Sequence, residues 1–414
     1  MKKLALLICF TIFISHFYAA SQYLYNGHVF PQLYYCSLQL KKDVSIDFQL
    51  RLSGNDSIEL INGNEKIDLQ FSGKNGDSLK YNFPVFDAGI VFIKRIGNNL
   101  DPEIIGYYFT NYRHINIPFS GSSPDDVFIN PSEPIPVING QWRIVFSPNT
   151  KDSSFGLGEF ESNINDYEEN FSGTILTSSG DFRYLHGNKN YDDTIRLYTF
   201  DGAHVYAFIM TKQPDGSLKG TQYSGTWAHE DFVCTRQPGF QLPDAYSLVK
   251  MQLGKNTFDF VLLEENGWPL SLNSKEYAHK PMLIQVMGSW CPNCMYESRY
   301  IISQYPDWHN KGLEVLGLCF EKYDDSATAY RRIAKMSNDL KMPYFATLAG
   351  KASVKEVFKL LPEMEGDVSF PTLIALDKNH HVKWIHTGFS GPATGMAYLQ
   401  WKEEMEKEVA ELVK

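Results

Sequence analysis

Two cysteines separated by two residues, in Trp290-Cys291-Pro292-Asn293-Cys294, are the residues of this chain best suited to chemistry. They follow an apolar run at residues 281–287 and lead into a helical pattern. Thiols at this spacing can close and reopen a disulfide. The first lies at a helix start, where unpaired backbone N–H groups and the helix dipole favour the thiolate, the reacting species. Pro292 suits the first helical turn, where its missing N–H costs nothing. Paired cysteines also bind zinc, but a structural site needs four ligands, and the chain holds no second C-x-x-C and no H-x-x-x-H. Redox exchange is therefore the expected chemistry, with no metal and no cofactor.

Glu297 is the next candidate. It stands three residues beyond Cys294, so Cys294, Glu297 and Ile301 share one helix face, and the apolar Ile301 draws that face inward. A carboxyl partly buried beside a thiol has a raised pKa and can exchange protons with it. A solvated first-turn Glu that stabilises the helix start is the plainer alternative. Trp290, beside the first thiol, is expected both to gate substrate access and to wall the site.

The elements that must position these residues alternate. After strand 281–287 and helix 291–305 come strand 313–319, a helix around 325–340, strand 343–348 and helix 352–362. Strands at 371–377 and 382–387 and a charged helix at about 396–413 close the series. Such alternation implies a sheet covered on both faces. Phe258 to Leu263 reads as a further strand, and Cys319 as a buried core thiol.

This portion, about residues 250–414, resembles the thioredoxin superfamily, in particular exported TlpA-like and ResA-like thiol–disulfide oxidoreductases. The resemblance rests on Trp290-Cys291-Pro292-Asn293-Cys294 after its strand and on Ser369-Phe370-Pro371-Thr372 before another. It implies that Cys291 attacks and Cys294 resolves the mixed disulfide. It also implies that Pro371 is a cis-proline beside the couple, with Trp290, Pro292, Phe370 and Pro371 meeting an extended substrate. An acid at the Glu297 position is a proton-transfer group in that family. Gln285 falls where many thioredoxins carry a buried acid, and an amide cannot act as the base, which moves that task to Glu297. Two departures stand out: Ser298-Arg299 replaces the proline that often follows the helix acid, and Met287-Gly288-Ser289 precedes Trp290 in place of an aromatic-alanine-threonine run.

Residues 22–245 read differently. Short strands such as 45–51, 90–94, 142–146 and 205–210 are separated by turns rich in Gly, Asn and Asp, which indicates a sandwich or barrel. Aromatics make up 14% of the chain and concentrate before residue 260, as a large β core requires. A weak internal repeat pairs Phe86-Asp87 and Gly106 with Phe200-Asp201 and Gly220 at the same interval, and Gly63-Asn64 with Gly187-Asn188. Two related β lobes, 22–135 and 136–245, joined at the Pro-rich residues 131–136, are expected. The fold class is thus α+β multidomain: an N-terminal all-β region followed by an α/β thioredoxin-like domain at 250–414.

Lys2 and Lys3 ahead of an apolar stretch, with Ala19-Ala20-Ser21 after it, read as an export signal over residues 1–21, a retained anchor being the alternative. No second span follows. The formal charge is −10, and two units more negative without Lys2 and Lys3, which argues against nucleic acid and anionic membrane surfaces as partners. Five cysteines then remain; Cys36 and Cys234 either bridge or stay apart, which spacing does not decide. Asn55 and Asn170 lie in glycosylation sequons, relevant only to a eukaryotic secretory route.

The expected function is an exported, periplasmic or envelope-located thiol–disulfide oxidoreductase. It would reduce disulfides of exported proteins and draw electrons from an upstream donor. The reductive direction comes from the resemblance alone. An antioxidant thiol peroxidase of the peroxiredoxin type is an alternative, weakened because Gly288 stands where its Pro-x-x-x-Thr-x-x-Cys site requires Thr. A further alternative makes the β region a binding module for an envelope component.

Overall fold

A computed structural model describes the backbone of residues 23–25 and 28–30, and residues 32–53, 57–97, 101–123, 137–162, 171–188 and 194–414 in full. The expected signal, the Pro-rich 131–136 stretch, Asn55 and Asn170 lie outside the described residues. No helix among those described is long and apolar enough to cross a membrane.

Eight strands, from Leu33–Lys41 to Ile115–Ser122, form a closed barrel in which each strand pairs with the next and the last pairs with the first through Ser120 and Ser37. Strict alternation explains it. Along Val44–Ser53, Val44, Ile46, Phe48, Leu50 and Leu52 are buried while the residues between them are partly exposed, so one face fills the interior. A second, nine-stranded sheet spans Gly140–Phe146 to Ala228–Thr235. It is also barrel-like: Ser154–Ser162 pairs with Phe171–Thr177, and Gly140–Phe146 pairs with Ala228–Thr235, so its meander returns on itself. Most large aromatics of this region are interior, Phe48, Phe83, Tyr108 and Phe200 packing edge to face.

The repeat positions occupy like places in part. Phe86-Asp87 lies between two paired strands, and Phe200-Asp201 spans the end of one strand and the turn to its partner. Gly106 and Gly220 each sit where a Cβ would come within 2.1 Å of a neighbouring strand's carbonyl, of Val91 and Ile209 respectively. The Gly-Asn pairs differ: Gly63 takes a left-handed turn, whereas Gly187 ends the strand Leu185–Gly187. Cys36 and Cys234 are unpaired and buried in the interiors of different sheets, so no bridge joins them.

The C-terminal portion holds a five-stranded sheet. Met282–Met287 is central, parallel to Glu314–Glu321 and antiparallel to Thr372–Leu376, with Phe345–Lys351 and Val382–Thr387 at the edges. Helices Pro292–Asn310, Ser326–Leu340, Val354–Leu360 and Met396–Leu412 accompany it. Two local expectations need correction. Of the strand expected from Phe258 to Leu263, only Leu262–Leu263 pairs, with Pro269–Leu270; Phe258 and Phe260 are buried as loop anchors against the sheet. The helix expected to stop at 305 runs to Asn310 through Pro306. Pro306 removes one helical hydrogen bond, but burial of Tyr305 and Trp308 on either side of it holds the last turns in place.

Candidate active site

The central strand Met282–Met287 ends, and the chain turns through Gly288-Ser289-Trp290 to place Cys291 as the cap of the helix Pro292–Asn310. The Cys294 backbone N–H donates to Cys291 Sγ at 3.1 Å, one of the orphan amides of the first turn. Cys291 and Cys294 form a disulfide, both sulfurs buried. The peptide bond between Phe370 and Pro371 is cis, and Cys291 Sγ lies 3.5 Å from the Phe370 carbonyl oxygen. Two segments about 80 residues apart in sequence thus meet at the couple because their strands are hydrogen-bonded neighbours.

Trp290 walls one side. Its indole N–H donates to Phe320 O at 2.8 Å, its ring meets Phe370 edge to face at 5.4 Å, and Lys322 lies over it at 4.0 Å. Pro292 is buried in the first turn.

Glu297 is fully buried one turn beyond Cys294, on the face it shares with Ile301. Gln285 connects carboxyl and couple: its Nε2 donates to Glu297 Oε2 at 2.8 Å and lies 3.4 Å from Cys294 O. The amide is itself oriented by Ser298, whose hydroxyl donates to Gln285 Oε1 at 3.0 Å. Burial pushes the Glu297 carboxyl up to about 8, against the opposing pull of the Gln285 hydrogen bond. Its other oxygen has no hydrogen-bond partner. Such a carboxyl is protonated at neutral pH yet matched to the thiol range, so it can take or give a proton there.

Sequence reasoning missed two features. Glu321 ends the strand Glu314–Glu321, which is without charge from Val315 to Phe320, and its carboxylate accepts from Ser289 N–H at 2.7 Å and Ser289 Oγ–H at 2.8 Å. It pins the turn that carries Trp290 and Cys291. Burial pushes it up to about 7, against the Ser289 hydrogen bonds and the nearby Arg332 and Lys322. A lone acid closing an apolar run parallel to the motif strand was the available signal.

The second feature is the β region's own contribution. Asn293 Nδ2, between the two cysteines, donates to Asp181 O at 3.3 Å. Arg183, wholly buried, pairs with Glu65 of the barrel at 2.5 Å and stacks over Tyr296 of the motif helix at 3.4 Å. Asp201 stands 3.6 Å from the same guanidinium. No local pattern marks these residues, since they come from three separate parts of the chain.

Residues 252–397 match the Redoxin family. The thiol-disulfide oxidoreductase ResA of Bacillus thuringiensis subsp. konkukian is 29% identical over 146 residues, covering 35% of this chain and 76% of that protein. The thiol:disulfide interchange protein DsbE of Vibrio cholerae is 25% identical over 146 residues, covering 35% and 70%. Among solved structures, the thioredoxin domain of a thiol-disulfide oxidoreductase from Bacteroides vulgatus is 19% identical, with a TM-score of 0.28, covering 37% of this chain and 98% of that one. With its redoxin domain at residues 252–397, the chain is a thiol–disulfide oxidoreductase of the thioredoxin superfamily, carried behind an N-terminal β extension.

Proposed function

We propose that the chain is an exported enzyme that reduces disulfides of envelope proteins through the Cys291–Cys294 couple. The observation that carries this reading is Cys291 Sγ, held at a helix start within 3.5 Å of the Phe370 carbonyl. In the reduced enzyme the Cys291 thiolate attacks one sulfur of the substrate disulfide. The other sulfur leaves as a thiolate and takes a proton from water, replacing the one Cys291 gave up on ionising. Glu297 in its ionised form, the minor form at neutral pH, then takes the proton of Cys294, which attacks Cys291 Sγ and releases the second substrate sulfur, and that sulfur takes the proton back from Glu297. Two electrons and two protons reach the substrate, and an upstream dithiol donor restores the couple. Trp290, Pro292, Phe370 and Pro371 form the substrate-facing wall. The likeness to ResA and DsbE supports the extracytoplasmic location, and the leader-like residues 1–21 agree. The two sheets, as related lobes at 22–135 and 136–245, serve the redox domain at 250–414.

Replacing Cys291 by Ser should abolish reduction of insulin, while Cys294→Ser should leave a long-lived mixed disulfide from which natural partners are identified. Undiminished insulin reduction by the Cys291→Ser variant would remove the assignment.

A further inference from the structure

The couple faces inward, against this chain's own β region. Cys291 is 4% exposed and Cys294 not at all. Beside them, against Asn293 and the loop at Gly388–Gly391, lies the segment 178–181, which runs from the turn after the strand Phe171–Thr177 through Gly180–Asp181. The turn makes close contact on both sides of a groove. On one side, Asn293 donates to Asp181 O, and an added Cβ at Gly180 would come within 2.2 Å of Asn293 Nδ2. On the other, Gly391 N–H donates to Asp181 Oδ2 at 2.6 Å, and an added Cβ at Gly388 would come within 2.4 Å of Ser178 O. Gly388 itself donates to Pro371 O at 2.9 Å, so this side of the groove belongs to the cis-proline loop. Glycines on both surfaces let the two backbones approach. Gly180 and Gly388 also hold positive φ angles of 143° and 80°.

We propose that residues 178–181 decide which disulfides reach Cys291, because the turn occupies the groove between Asn293 and the Pro371 loop that an extended polypeptide substrate needs. A protein disulfide exchanges only when the turn is displaced, whereas a small disulfide needs a far smaller opening. The inference rests on the redox reading above. The seat is firm but releasable. Asp181 and Arg183 anchor it, while Asn293 Oδ1 is buried without a hydrogen-bond partner, a cost that opening to water relieves.

The test compares hydroxyethyl disulfide with insulin as substrates of the reduced full-length protein, in the parent and in Gly180→Val and Asp181→Ala. The first variant drives a side chain into Asn293; the second removes the acceptor of Gly391 N–H. If the open state is a tenth or less of the parent population, each variant should raise the insulin rate relative to the hydroxyethyl disulfide rate by about 10-fold. Turnover of hydroxyethyl disulfide by the parent reports the redox reading on its own. An unchanged ratio with that turnover intact therefore overturns the role of the turn alone. A second measurement does not depend on these variants folding. Amide hydrogen exchange of peptides spanning residues 178–183 is compared between free Cys294→Ser protein and its mixed disulfide with insulin. Faster exchange in the mixed disulfide supports displacement, and equal exchange overturns it.

Discussion

Replacing Glu297 by Gln tests the buried carboxyl most directly. Its folded pKa of about 8 lies above the ordinary 4.5. The folded state therefore keeps this proton while the unfolded chain has lost it, over the window between those two values. In that window the folded state binds more protons, so parent stability falls as pH rises. At about 1.4 kcal/mol per pH unit, the carboxyl withdraws about 5 kcal/mol by pH 8. Gln keeps the shape and can accept or donate in its place, but it does not ionise. Urea unfolding of the oxidised proteins should thus show Glu297→Gln gaining on the parent steadily from pH 5 to pH 8 and levelling above it. Glu321, also raised, is common to both proteins and cancels in the difference. The same variant should slow resolution of the mixed disulfide by about 10²-fold, as loss of one general acid or base does. Stability curves that run parallel across this range would refute the burial argument. An unaltered pH–rate profile for resolution would refute the proton-transfer role and leave the carboxyl as a structural group.

The buried network should be costly to break at its cation. Arg183→Met leaves buried Glu65 without its counter-charge and Asp201 with His204 alone, and should destabilise the protein by about 3–5 kcal/mol in denaturant titrations. Adding Glu65→Gln should recover part of that loss, and equal stability of Arg183→Met and the parent would show the network to be neutral. In the barrel, Gly106→Ala pushes a methyl into Val91 O and Phe92, and should lower the thermal midpoint by an amount equivalent to about 1–3 kcal/mol. A barrel that accepts the methyl without loss would mean that these strands part more easily than their pairing suggests.

Local chemistry and periodicity are readable from the residues alone. The couple is legible in Cys291 and Cys294 because two residues of spacing at a helix start leave little other use for paired thiols. The inward turn of Glu297 follows from helical phase, since residues three and four apart share a face whatever the fold around them. The β character of residues 22–245 is legible in alternation and turn residues, but alternation marks one buried face without saying whether the sheet closes. Closure is decided by pairing of the first strand with the last, Ser37 with Ser120, a contact between distant segments. The helix runs on past 305 for a related reason: a proline is a local stop signal, and the packing of Tyr305 and Trp308 that overrides it at Pro306 is not local. That Ser289 rests on Glu321 follows from the fold, because that contact depends on the parallel register that sets Met287 against Cys319. The fold alone placed Asp181, Arg183 and Glu65 at the redox helix. Residues more than a hundred positions away carry no spacing signal toward Asn293 or Tyr296, and they meet there only because two β sheets and a redox domain bury their polar groups against one another.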